Sequence, residues 1–237
     1  MIEIIKWDSN FFKRKIGELK ISCESPNHIL SDLKYAKEAG FKYIICKIKT
    51  QEINLIKYLE LLGFYLTDIR VIWEINIGKY LFRESRNSGI KRTIKIAADK
   101  DIPTLREISK SLFLNSRFYN DPYFTKEEAD NLHQSWIENS VKGNNADIVF
   151  CIDNVGYVTC KKLNNDSGGI ILFGIKKEFR GKGIGKALLE ESIKWFKKEN
   201  IKIVNVRTQL RNIISMNLYL KMGFSVKEYD IVFAKIL

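Results

Sequence analysis

Two stretches of this chain, KYIICKIKTQEINLIKYLELLGF (Lys42 to Phe64) and KIVNVRTQLRNIISMNLYLKMGF (Lys202 to Phe224), overlay without a gap. Each opens on a run dense in β-branched residues, passes a polar turn, continues at helical spacing and closes on Gly-Phe before a second extended run. The glycine sits where a helix C-cap needs left-handed backbone. Equal spacing over such a length points to an internal duplication of a strand–helix–strand unit. Few letters are identical, so two unrelated units with the same glycine cap remain the alternative. Either way the chain must build a sheet flanked by helices.

The rest of the chain fits that requirement. Before the first copy, IGELKIS (Ile16 to Ser22) is extended and HILSDLKYAKEAG is helical, with Gly40 as C-cap. After it, FYLTDIRVIWEINI is a long strand, and GKYLFRESRNSGIKR (Gly78 to Arg92) is a polar linker broken at Asn87-Ser88-Gly89. TIKIAA then starts a second unit as a strand. DKDIPTLREISKSLF opens a helix with acidic and proline start signals. SRFYNDPYF is a loop, and TKEEADNLHQSWIENSV is a helix starting on the capping box of Thr125 and Glu128. DIVFCI, GYVTCKKL and GGIILFGI are strands. A glycine-rich loop, the helix IGKALLEESIKWFKKEN, the second copy and a last strand FSVKEYDIVFAKIL complete the order. The expectation is an α+β (mixed α/β) chain with an N-terminal domain over 1–84 and a second domain over 92–237.

The chemistry is carried by GIKKEFRGKGIGKA (Gly174 to Ala187). A strand ends at Ile175, glycines recur at 181, 183 and 185, and an amphipathic helix begins at once. Successive glycines let backbone N–H groups approach an anion, and the helix N-terminus adds its unpaired donors and positive dipole end. Such a loop cradles a pyrophosphate. Its spacing is neither the Walker pattern nor a Rossmann fingerprint.

The spacing Arg-x-x-Gly-x-Gly resembles the coenzyme A loop of the GCN5-related N-acetyltransferase (GNAT) family, as does the element order from Thr93 onward. NIISMNLYLKMGF is similar to that family's N-x-x-A-x-x-L-Y-x-x-x-G-F, with Ser215 where alanine is commoner. The resemblance implies a GNAT fold with a central mixed, mostly antiparallel sheet, and a smaller N-terminal truncated GNAT-like domain. It implies acetyl-CoA as cosubstrate and no metal. Phe173, Gly174 and Ile175 would pair with the pantetheine arm. Arg180, Gly181, Lys182, Gly183, Ile184, Gly185 and Lys186 would hold the pyrophosphate. Asn212 and Asn217 would help fix the arm. Tyr219 falls on the family's general acid, since a phenol of pKa about 10 can protonate a departing thiolate; the alternative is a core aromatic.

WDSNFFKRKIGEL, NSRFYNDPYF and LHQSWIENSVKG further resemble the members that N-acetylate a TDP-linked amino-dideoxy sugar. There the N-terminal unit closes the acceptor side. Asp68, just after Gly63-Phe64, is then the candidate base acting through water, against an ordinary solvated strand aspartate. Arg117, with Phe118 and Tyr123, is the candidate substrate contact, the arginine binding a diphosphate by charge-assisted hydrogen bonds, against a surface ion pair. No cysteine or serine occupies a recognisable nucleophile position, so attack is expected to be direct. The implied partner is a small-molecule nucleotide sugar, with no nucleic acid and no membrane; monomer or homodimer stays open.

Composition enters as a check. The formal net charge is +12, which suits phosphates, but the lysines are spread along the chain and no nucleic-acid signature accompanies them. A protein, peptide or aminoglycoside acetyltransferase, and a basic nucleic-acid-binding or acetyl-CoA-sensing module, are the rival classes. Cys23, Cys46, Cys151 and Cys160 form no C-x-x-C pair, and Cys46 and Cys160 sit in apolar runs as small core residues. His28 and His133 have no cysteine cluster near them to make a zinc site. The N-terminus lacks the basic-then-apolar pattern of a signal peptide, so a cytoplasmic location is expected.

Overall fold

The structure, a computed structural model, describes residues 1–21, 28–80, 93–110 and 112–237. Most of the expected linker, residues 81–92, lies outside the described residues, as do Ser22 and Cys23. The chain groups into two compact units that do not follow its linear order. Unit 1 comprises Met1–Arg70, Ser116–Glu128 and Tyr229–Leu237; unit 2 comprises Val71–Asn115 and Ala129–Glu228.

Unit 1 contains β1 (Ile2–Ile4), α1 (Lys6–Phe12), β2 (Ile16–Leu19), α2 (Ile29–Glu38), β3 (Tyr43–Lys49), α3 (Ile53–Leu61), the first half of β4 (Tyr65–Asn76), α5 (Arg117–Asn120) and the end of β10 (Ser225–Ile236). β2 and β3 are parallel, with Ile16 opposite Tyr43, while β3 and β10 are antiparallel, with Lys49 opposite Asp230. Strand alternation sends Ile44, Cys46 and Ile48 to one face, where they pack with Ile29, Leu33 and Ala36 of α2 and Leu59 of α3. The opposite face carries Tyr43, Lys47 and Lys49. SRFYNDPYF is not all loop: Arg117–Asn120 make one helical turn.

Unit 2 holds β5 (Lys95–Ile96), α4 (Ile102–Ser109), most of α6 (Lys126–Val141), β6 (Ile148–Ile152), β7 (Gly156–Lys162), β8 (Ser167–Ile175), α7 (Ile184–Lys198), β9 (Ile203–Gln209) and α8 (Ile213–Lys221). The expected strand TIKIAA shrinks to the two residues of β5. β5 to β8 form an antiparallel run, and β8 meets β9 in parallel. α7 buries Ile184, Leu188, Leu189, Ile193 and Phe196 at helical spacing against Ile170, Val204 and Val206 of the sheet. The sheets are thus mixed and mostly antiparallel.

The two matching stretches build matching elements. β3, α3 and β4 correspond position for position to β9, α8 and β10. Both helices end alike, with Gly63 at φ 76° and Gly223 at φ 86°. The N–H of Phe64 reaches Leu59 O at 3.0 Å, and that of Phe224 reaches Tyr219 O at 3.0 Å. The second strands are exchanged: β10 pairs with β3, and β4 neighbours β9. Local spacing carries no trace of this, because strand pairing is a non-local choice.

Candidate active site

The parallel pairing of β8 with β9 stops at Ile170 opposite Val206, although the strands continue to Ile175 and Gln209. A register shift of β7 against β8 at Thr159/Cys160 marks the same place, and Thr159 Oγ1 accepts the N–H of Leu172 at 2.9 Å. Beyond that point the β9-facing edge of Phe173–Ile175 is not part of that ladder. An extended ligand could add there as a strand.

This edge borders a cavity of about 840 Å3 lined wholly by unit 2. Its wall includes Phe173, Gly174, Ile175, Arg180, Gly181, Gly183, Gly185, Lys186, Asn212 and Asn217 from the expected set. Lys110, Lys176, Lys177 and Lys221 add positive charge, opposed by Glu107 and Glu178. Gly181 and Gly183 have φ of 76° and 78°, and Gly183 is the N-cap of α7, so the loop presents the helix start to the cavity. The Nε–H of Arg180 donates to Ile175 O at 2.9 Å and ties the loop to the strand end. A Cβ at Gly185 would crowd two side-chain ends, Leu218 Cδ2 at 3.0 Å and Ile175 Cδ1 at 3.2 Å, so the chain is closely packed there. Lys182, Ile184 and Tyr219 are not in the wall; Ile184 and Tyr219 are buried in the unit 2 core.

Asn212 caps α8. Its side-chain oxygen accepts the N–H of Ser215 at 3.3 Å, and its amide donates to Thr208 Oγ1 at 3.1 Å. Tyr219 is 3% exposed and packs with Trp73 and Phe224. Burial holds its phenol above the ordinary range, and a side-chain hydrogen bond to Ser215 opposes this only in part. Ser215 itself lines the cavity, so the neutral phenol connects to it through one hydroxyl.

Sequence reasoning missed Leu112, Phe113, Asn115 and Gln209 in the wall. Leu112 and Phe113 arrive from the chain after α4 and close over β8 at Gly174, where an added Cβ would meet Leu112 Cδ2 at 2.1 Å. A glycine inside an apolar strand was the available signal for such a close approach. Behind Phe113 lies His133, buried, stacked on that ring at 4.8 Å, with Nδ1 2.7 Å from Ala129 O.

The remaining expected residues lie in unit 1. Asp68 is 2% exposed, so it is not the solvated strand aspartate that its sequence context also allowed. Phe118 and Tyr123 join Phe12, Tyr43 and Phe124 in an aromatic cluster. The cluster is anchored by buried Asp121, which accepts hydrogen bonds from the Tyr43 and Tyr65 hydroxyls and, at 3.0 Å, from the Tyr123 N–H. Arg117 lies over the Phe118 ring and faces Asp8. Among the described residues no group of three His, Cys, Asp or Glu is placed to hold a metal, and no helix is long and apolar enough to cross a membrane.

Residues 109–224 match the acetyltransferase (GNAT) family model. The dTDP-fucosamine acetyltransferase of Escherichia coli O6:H1 is 24% identical over 231 residues, which is 95% of this chain and 94% of that protein. The spore coat polysaccharide biosynthesis protein SpsD of Bacillus subtilis is 29% identical over 132 residues, 54% of this chain and 45% of that one. Among solved structures, a GCN5-related N-acetyltransferase from Sphaerobacter thermophilus superposes with a TM-score of 0.68 at 14% identity, covering 99% of this chain and 76% of its own.

Proposed function

For a chain that carries an acetyltransferase domain of the GNAT family, we propose that acetyl is transferred from acetyl-CoA to the amino group of a dTDP-linked amino-dideoxy sugar, by direct attack with both substrates bound. The β8 edge that leaves its pairing beside the α7 N-terminus carries the donor half of this reading. Likeness to dTDP-fucosamine acetyltransferase along nearly the whole length of both chains supports the acceptor half.

Acetyl-CoA supplies an activated acetyl group and a thiolate leaving group. In this reading the backbone N–H groups from Gly181 to Lys186 hold the pyrophosphate, and Lys176, Lys177 and Lys221 add screening charge. The Phe173–Ile175 edge pairs with the pantetheine arm, with Asn212 and Asn217 beside it. A C–N bond forms as the C–S bond breaks. Asp68, through water, takes the proton of the ammonium, Tyr219 gives its proton to the thiolate, and the second proton that the nitrogen loses as the amide forms returns Tyr219 to its phenol. A phenol kept neutral by burial is in the right state to donate. Arg117, Phe118 and Tyr123 belong to the acceptor side. The linear halves 1–84 and 92–237 are, on the same reading, an acceptor-side copy without a pyrophosphate loop and the acetyl-transferring copy. The protein works in the cytoplasm, where its substrates are made for a surface glycan.

The test is thiol release from acetyl-CoA against nucleotide-linked amino sugars, an aminoglycoside and lysine peptides, with Tyr219→Phe alongside. Turnover confined to an amino-dideoxy sugar, with kcat reduced at least 100-fold in Tyr219→Phe, is expected. Turnover of peptides alone would remove the sugar assignment.

A further inference from the structure

Unit 1 contains a cluster of charged side chains, made of residues remote in sequence from the glycine-rich loop. Arg117 lies on a bed of rings, 4.2 Å from the Phe118 centroid and 5.6 Å from Phe124. Its side chain is 12% exposed. A guanidinium offers five N–H donors in a planar fork suited to phosphate or carboxylate. Among the described residues it makes two long hydrogen-bond contacts, 3.4 Å to Asp8 Oδ2 and 3.4 Å to the Tyr43 hydroxyl. A well-formed charge-assisted bond is about 2.7–2.9 Å. The fork is positioned and under-used.

The rings under Arg117 are themselves anchored. Tyr43 is fixed through Asp121, and Phe118 and Phe124 pack edge to face at 5.1 Å. Asp8, on α1, is 15% exposed and is faced by Arg117 from α5, Lys47 from β3 and Glu18 from β2. Burial raises its carboxyl above the usual range and outweighs the pull of Arg117 and Lys47. Glu18 behaves in the opposite way. Burial pushes it up, but hydrogen bonds from Lys47 and Lys20, at 2.9 and 3.0 Å to one oxygen, carry it below the usual range. Two lysines therefore share one ionised glutamate at 2.9 and 3.0 Å, while Asp8 stands at the longer distance of 3.4 Å from Arg117. Lys47, bonded to Glu18 at 2.9 Å, is 34% exposed.

We propose that Arg117 and Lys47 form the subsite for the diphosphate of the acceptor, and that Asp8 is a resident anion which the diphosphate displaces. This rests on the nucleotide-sugar reading and adds to it the part of the substrate that unit 1 grips. A phosphate oxygen brings more acceptor sites and more charge to the fork than Asp8 does at 3.4 Å. Displacing a weakly held carboxylate costs little.

The experiment is calorimetric titration of the full chain with dTDP, which lacks the sugar, and with inorganic pyrophosphate. Wild type, Asp8→Asn, Arg117→Gln and Lys47→Gln are compared, and coenzyme A binding serves as the folding control because its cavity lies in unit 2. Asp8→Asn should bind dTDP several-fold tighter. Arg117→Gln and Lys47→Gln should bind it at least tenfold more weakly, with coenzyme A affinity unchanged. Pyrophosphate should follow the same ranking at lower affinity. A purely structural Asp8–Arg117 pair would make Asp8→Asn neutral or weaker for dTDP, and that result overturns the proposal. If dTDP follows the expected ranking but no amino sugar is turned over, the subsite stands and the substrate reading falls. If amino sugars are turned over with KM unchanged in Arg117→Gln and Lys47→Gln, the reading stands and the subsite falls. Lys47→Gln keeps the test valid should Arg117→Gln fail to fold.

Discussion

Replacing Gly174 by alanine tests how the cavity wall is built. The backbone at 174 lies outside the left-handed region, so a side chain meets no intrinsic strain there. The obstacle is steric. An ideal Cβ falls 2.1 Å from Leu112 Cδ2, 3.1 Å from Leu112 Cγ and 3.5 Å from Phe113 Cζ. Carbon atoms prefer about 3.5–4.0 Å, so Leu112 must turn away and release Phe113 with it. Overpacking of this kind costs about 1–3 kcal/mol. For a chain of this size that lowers Tm by about 2–4 °C per kcal/mol. Because Leu112 and Phe113 line the cavity, acetyl-CoA affinity should fall as well. Leu112→Ala alone leaves a half-buried gap, cheaper than the ~2–5 kcal/mol of a fully buried leucine. In the double variant the new methyl enters that gap. The two changes should therefore be non-additive, with a coupling of about 1–2 kcal/mol in favour of the double variant. Thermal denaturation and acetyl-CoA titration of the four proteins measure it. Additive losses would mean that Leu112 is not what the glycine accommodates.

Three further outcomes follow from individual residues. Burial, which outweighs the bond to Ala129 O and the nearby Asp130, pushes the His133 imidazole down to about 4. Its folded value lies below the unfolded one of about 6.5, so this stability is full above pH 6.5 and is lost as pH falls toward 4, by roughly 3 kcal/mol. Tm measured against pH should flatten over that window in His133→Phe, whose ring can keep the stack on Phe113. Thr125→Ala removes the reciprocal cap in which Glu128 N–H donates to Thr125 Oγ1 at 3.1 Å and Thr125 N–H donates to Glu128 Oε2 at 2.9 Å. It should cost about 1 kcal/mol, read as a fall in Tm with acetyl-CoA affinity unchanged. Burial raises the thiols of Cys46 and Cys160 to about 12 and that of Cys151 to about 11. In a Cys23→Ser background the native protein should therefore resist thiol reagents at pH 8 and release three equivalents once unfolded; rapid native labelling would contradict this burial.

What could be read from the sequence was local. The capping box at Thr125 and Glu128, the glycine caps at 63 and 223, the period-3.6 face of α7 and the glycine loop at its start depend on neighbours within a few residues. They appear as expected. Helix and strand limits in the two copies agree with their gapless overlay because the same short-range signals occur at the same spacing. The single turn of α5 and the shortening of β5 escaped, since four residues and two residues carry too little periodicity to read.

Tertiary structure decided everything that depends on partners distant in the chain. Strand pairing placed β10 beside β3 and β4 beside β9, because hydrogen bonds of a sheet edge accept any strand that packs well. It also ended the β8–β9 ladder at Ile170, which leaves Phe173–Ile175 outside that pairing beside the cavity. Leu112, Phe113 and Gln209 joined the cavity through packing; Gly174 signals a close approach in the sequence but not which residues make it. Arg117 came to rest on a bed of rings opposite Asp8, from a segment that groups with unit 1 although it follows the linker. The sequence by itself determined the elements, the glycine-rich loop at the start of α7 and the family likeness, since these rest on short-range backbone chemistry. Which side chains share a wall, which charge is well paired and which is held loosely are set by long-range packing, and only the folded chain contains them.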